Sequence, residues 1–151
     1  MNPKSTQQPP IVVAALGYGG LLPFIGLTCL IGLDPAHSAL WHRALWAYSA
    51  VILSFVGALH WGFAMLGLTV GAQQRSSWYV WSVIPALLAW VALLLPSLFA
   101  SVLLGVGFVA HYIRDIGVVR STNLPEWYLP LRRRLSLIAV ISIVAGGWVL
   151  P

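Results

Sequence analysis

The sequence predicts an all-α polytopic membrane protein, a five-transmembrane-helix bundle forming one domain over residues 1–151. Three observations carry that expectation. Hydrophobic residues make up 60% of the chain and Asp, Glu, Lys and Arg only 7%, against about 25% charged in an ordinary soluble domain. The uncharged runs are long enough to cross a bilayer. Six of the eight tryptophans fall near the ends of those runs, as an aromatic belt requires. So few charges cannot cover a soluble surface, which excludes a cytosolic enzyme, a disordered tail and a nucleic-acid binder.

The first run, residues 11–33, follows a polar start containing Lys4. It outlasts the ~7–15 apolar residues of a signal peptide and reads as a retained helix. Pro23 sits inside it, where neighbouring groups can satisfy the freed carbonyl. Asp34-Pro35 ends it. The second span is 44–70, after Trp41, His42 and Arg43, and Gln73-Gln74-Arg75 breaks it.

Residues 76–113 carry no formal charge. As one helix they would extend about 57 Å, far beyond a ~30 Å hydrocarbon core. Pro96-Ser97 divides them, giving spans at 78–95 and 98–119 joined by a tight turn, with Pro85 a candidate kink. A polar connection holding Asn123, Pro125, Glu126 and Trp127 leads to the fifth span, 131–150. Its first turn carries Arg132, Arg133 and Arg134, which are expected to snorkel to headgroups, with Trp127 beside them.

The charges give an orientation. Five spans place Lys4, Arg75, Arg114, Arg120, Arg132, Arg133 and Arg134 on one side and Arg43 alone on the other. Basic residues concentrate in cytoplasmic loops, so the N-terminus is expected inside and the C-terminus outside.

The polar groups left within the spans are few. Ala47, Ala50, Ser54, Gly57, Ala64 and Gly71 recur at helical spacings and make a face for close helix packing. His60 lies one turn from both Gly57 and Ala64, so it should point into the bundle. Counted from the outer ends of their spans, His60 and His111 lie about 24 and 20 Å deep, at a common level. Asp115 shares the face of His111, and the adjacent Arg114 is expected to neutralise it. Tyr18, Trp81 and Ser82 fall at comparable depth.

Ionisable groups inside a membrane are costly and point to function. The competing account is structural polar glue. Within the functional account, His60 and His111 are candidate axial ligands of a b-type haem, and His60, Tyr18 and Trp61 could hold a quinone. A proton or small-solute transporter is a further alternative, requiring an oligomer. Asp34, His37 and His42 are read as a solvated group, with no metal site expected. Gly17-Tyr18-Gly19-Gly20 lacks the strand and Lys-Ser/Thr of a phosphate loop. Cys29 has no internal disulfide partner, and no hydrolytic triad or carboxylate pair occurs.

The string Tyr48-Ser49-Ala50-Val51-Ile52-Leu53-Ser54-Phe55-Val56-Gly57-Ala58-Leu59-His60-Trp61-Gly62 resembles the signature of domain-of-unknown-function family 3429, the transmembrane protein 69-like proteins. Gly20-Leu21-Leu22-Pro23-Phe24, Asp115, and Leu124-Pro125-Glu126-Trp127-Tyr128 leading into Leu131-Arg132 are also similar to it. The resemblance covers nearly the whole chain. It implies a small multi-pass protein of bacterial inner or mitochondrial membranes, gives no activity, and points at Tyr48, His60, Trp61, Asp115, Trp127 and Arg132.

The expected function is therefore non-enzymatic. It is an accessory or interaction protein with a buried polar layer around His60, embedded in lipid, with a membrane-protein partner or a second copy of itself. A reporter fused to the C-terminus should read as external; a cytoplasmic signal would overturn the five-span topology.

Overall fold

A computed structural model describes residues 8–66 and 70–148. Lys4, residues 67–69 of the expected second span and the end of the fifth (149–150) lie outside the described residues. The described residues are helical, with no strand among them. Helices α1 (Ile11–Gly19) and α2 (Leu22–Leu33) are followed by a 3₁₀ turn at Pro35–His37. Then come α3 (Ser38–Leu66), α4 (Ala72–Ala92), α5 (Ser97–Ser121) and α6 (Tyr128–Trp148).

Three stretches are long and apolar enough to cross a membrane: Ile11–Leu33, Pro35–Leu66 and Ser97–Ser121. The helices expected as the third and fifth spans fall short of that measure. α4 opens on Gln73-Gln74-Arg75-Ser76-Ser77, and α6 carries three arginines in its first two turns.

The expected boundaries mark the apolar part of each helix and miss its polar ends. α3 starts at Ser38 rather than 44, and α4 at Ala72 rather than 78. α4 also stops at Ala92 rather than 95, and α5 runs two residues past the expected 119. Gln73-Gln74-Arg75, read as a helix break, is the first turn of α4, entered from Gly71 in extended backbone. A helix continues into the polar interface as long as its backbone is satisfied, whereas hydropathy stops at the last apolar residue.

The first expected helix is in fact two. Pro23 has no N–H to offer the carbonyl of Gly19. The chain tightens at the break, with Gly20 N–H bonded to the Leu16 carbonyl and Leu21 N–H to that of Tyr18, each at 3.0 Å. The Tyr48 hydroxyl donates to the Gly20 carbonyl at 2.8 Å, so a side chain of α3 satisfies the interrupted backbone.

α3 is the central element and packs against α2, α4, α5 and α6. Ala50, Gly57 and Ala64, seven residues apart, form a buried stripe along it. Ala47 is exposed and Gly71 lies outside the helix, so the expected small-residue face is narrower than the sequence implied. Gly57 meets Pro85 of α4 so closely that a β-carbon built there would lie 2.8 Å from the proline ring. Leu53 fills the space over Gly107 on α5. The Thr28 hydroxyl, 2.8 Å from the Phe24 carbonyl and 3.1 Å from that of Ser142, ties α2 to α6.

The tryptophans divide differently from the expected belt. Trp46 and Trp78 are buried, whereas Trp61 and Trp90, the deeper pair in sequence, face outward.

Because the Pro85 ring cannot yield, Gly57→Val should cost about 1–3 kcal/mol through overpacking. Gly62→Val, where a β-carbon meets nothing within 4 Å, should stay within about 0.5 kcal/mol. Thermal unfolding in detergent micelles measures both.

Candidate functional site

Among the described residues, the buried charge lies where α3, α5 and α6 meet. Asp115 projects from α5, four residues after His111 and on the same face, and both side chains are wholly buried. α3 brings His60, also wholly buried, to the same point. α6 contributes Arg132, and Tyr128 comes from its first residue.

The two carboxylate oxygens of Asp115 have different surroundings. Arg132 Nε donates to Oδ2 at 2.8 Å. Oδ1 faces Tyr128, whose hydroxyl donates at 3.4 Å, and two imidazoles. His111 Nε2 is 3.6 Å from Oδ1 and His60 Nε2 is 3.9 Å away. The histidine rings meet edge to face with centroids 4.8 Å apart. Both nitrogens of His60, Nε2 of His111 and Nη2 of Arg132 are buried without a hydrogen-bond partner.

Trp81 on α4 fixes the state of His111. Its indole N–H donates to His111 Nδ1 at 3.2 Å. Nδ1 must then be the acceptor nitrogen, so the neutral ring carries its proton on Nε2, facing Asp115. The Arg114 guanidinium lies 5.0 Å from the Trp81 ring centroid and also donates to the Ser77 hydroxyl at 2.7 Å.

Two sequence expectations are corrected here. Arg114 does not neutralise Asp115, because consecutive helical residues point about 100° apart. It turns instead to Ser77 and Trp81 on α4. Arg132 does not snorkel; it is buried and takes Asp115. A signal for this was present. Three consecutive arginines on a helix sweep about 200° of its circumference, so all three cannot face headgroups together. Arg133 and Arg134 are exposed, and Arg132 faces inward. Tyr128 was missed as a partner because it lay in a segment read as a loop.

The remaining candidates separate from this cluster. Tyr18, on α1, accepts from Arg134 Nη1 at 3.3 Å. Tyr48 serves the helix break. Trp61 is half exposed and packs edge-on to Tyr79. Trp127 is half-buried beside Tyr128. Ser82 donates to the Tyr79 carbonyl of its own helix. The quinone grouping of His60, Tyr18 and Trp61 is therefore not assembled, since two of the three are engaged elsewhere. Bis-histidine haem ligation needs a porphyrin plate between the axial rings, and rings already in contact leave no space for one.

At the opposite end of the bundle the expected Asp34 group is only partly a unit. His37 Nδ1 lies 3.0 Å from Asp34 Oδ2, and the Trp41 indole donates to the same oxygen at 3.1 Å. Hydrogen bonding from His37 first, then Trp41, holds the Asp34 carboxyl below its ordinary range. His42 turns away from it, with its ring nitrogens against the carbonyls of Ser38 and Gly146 and its face stacked on Trp46.

The sequence model of a family described as "Protein of unknown function (DUF3429)" matches residues 9–147. A relative in Xenopus tropicalis, transmembrane protein 69, is 33% identical over 149 residues. That alignment covers 95% of this chain and 56% of the relative, so the chain spans just over half of the frog protein's length. No solved structure matches.

Removing one member of a buried ion pair strands the other charge. Arg132→Met and Asp115→Leu should each cost about 3–5 kcal/mol, and the double variant should recover most of that loss. The exposed Arg133→Met should stay within about 0.5 kcal/mol. Additive losses in a double-mutant cycle of thermal unfolding would show that the pair is not coupled.

Proposed function

The chain belongs to the DUF3429 family of proteins of unknown function, and on that premise we propose a multi-pass accessory protein of the bacterial inner or mitochondrial membrane. In this reading it crosses the bilayer five times, with its N-terminus inside. Its role is to present a fixed helical surface to a membrane partner. The broken helix α1–α2, then α3, α4, α5 and α6, supply the crossings. α4 and α6 cross with polar first turns at the inner interface, where Arg75, Arg133 and Arg134 lie.

The observation that carries this reading is the sealed state of the cluster. Asp115, His60 and His111 have no exposed side-chain surface, and the one formal anion there is paired with Arg132. Such a group fixes how α3, α5 and α6 meet. A transport pathway needs the same groups to be reached from water, and the side chains of all three are closed off from solvent.

A second reading is favoured by one observation. His60, His111 and Asp115 each offer a ligand atom, all within 4.8 Å of one another, as a transition-metal site requires. Two features weigh against it. The Trp81 bond leaves the His111 Nε2 proton where the metal would bind, and Arg132 adds a positive charge beside the cation.

Liposomes containing the purified protein should show no proton or solute flux above empty vesicles. Cross-linking in native membranes should give one discrete adduct at near-stoichiometric yield. Flux abolished by Asp115→Asn would replace the accessory role with transport. Metal co-purifying at one per chain, and lost in His60→Ala, would establish the second reading instead.

A further inference from the structure

We infer that the cleft between α1 and the start of α6 binds a zwitterionic phospholipid carrying a primary ammonium, the phosphoethanolamine headgroup. This rests on the protein being embedded in a membrane and is independent of the role of the Asp115 cluster.

α1 has no buried residue and meets the rest of the molecule chiefly along α6. Between them lies a cleft of about 840 Å³. Its walls include Ile11, Ala14 and Leu131, and its charged residues are Arg134 and Glu126, both exposed. Arg134 reaches across to donate to the Tyr18 hydroxyl at 3.3 Å. That bond is long and uses only Nη1, so most of the guanidinium's five N–H donors remain available.

The pairing of charges decides the ligand. A cleft reading only negative charge would be lined by cations alone. This one sets a guanidinium and a carboxylate at the same opening, with apolar walls between helices. A guanidinium matches phosphate through parallel N–H donors. A carboxylate matches an ammonium that has N–H groups to donate. Phosphoethanolamine carries both at the right chemistry. Phosphocholine has the charges but no N–H, and phosphoglycerol offers Glu126 no cation. The level also fits the topology proposed above, in which the exposed Arg133 and Arg134 lie at the inner interface.

The test uses the full-length protein in detergent, titrated with phosphatidylethanolamine, phosphatidylcholine and phosphatidylglycerol of identical acyl chains and read by native mass spectrometry. Phosphatidylethanolamine should be retained roughly tenfold more tightly than phosphatidylcholine, the value of one charge-assisted hydrogen bond. N-methylated phosphatidylethanolamines should fall stepwise between the two, a comparison that leaves the protein unchanged. Glu126→Gln should bring phosphatidylethanolamine down to the phosphatidylcholine level. Arg134→Gln should weaken all three lipids. Equal retention of phosphatidylethanolamine and phosphatidylcholine by the unaltered protein would overturn the inference. So would phosphatidylglycerol outranking both, or a preference unchanged in Glu126→Gln.

Discussion

Asp115 is buried with Arg132 on its carboxylate, and the arrangement of three helices follows from that pairing. An isolated carboxylate in an apolar interior is prohibitively costly, so an opposite charge and further hydrogen bonds must reach it from neighbouring elements. α5 supplies the acid, α6 supplies Arg132 and Tyr128, and α3 supplies His60 against the remaining oxygen. A register shift of one residue in α6 would turn Arg132 by about 100° and leave the acid uncompensated. In an environment without a hydrophobic drive between helices, such a requirement selects one packing among many.

Packing around that point is close because backbone replaces side chain at the crossings. Gly57 admits Pro85, and Gly107 admits Leu53. The close approach of α4 to α3 also brings Trp81 within reach of His111, although Trp81 and His111 belong to different helices. The indole then sets which imidazole nitrogen holds the proton, and Arg114, itself bonded to Ser77, lies over its ring. The polar cluster and the small-residue contacts are thus two parts of one packing solution.

Much of this was legible in the sequence, and the limits are physical. Membrane character and the convergence of His60, His111 and Asp115 followed from composition and helical spacing. The break at Pro96 was visible because a single helix of that length cannot fit a bilayer. The break at Gly20 was not, because Pro23 alone does not say whether a helix bends or divides. The partner of Asp115 was misassigned because nearness along the chain was given more weight than direction around the helix. Arg132 is 17 residues away in sequence and faces the acid, whereas Arg114 is adjacent and turns aside. The polar ends of α3 and α4 were missed because hydropathy reports the solvent of a segment rather than its backbone.

The division between α1 and α2 bears on how the molecule comes apart. α2 is held by Phe24 and Ile31 in the core and by Thr28 against α6, whereas no residue of α1 is fully buried. The free energy needed to open α1 is therefore set by its own backbone hydrogen bonds, by lipid and by its contact with α6, where Gly17 meets Leu135 and Arg134 bonds Tyr18, rather than by core burial. Its amides should exchange with solvent deuterium by local opening, on a ladder separate from the cooperative unit formed by α2 through α6. The hydroxyl of Tyr48 stands at the boundary between the two.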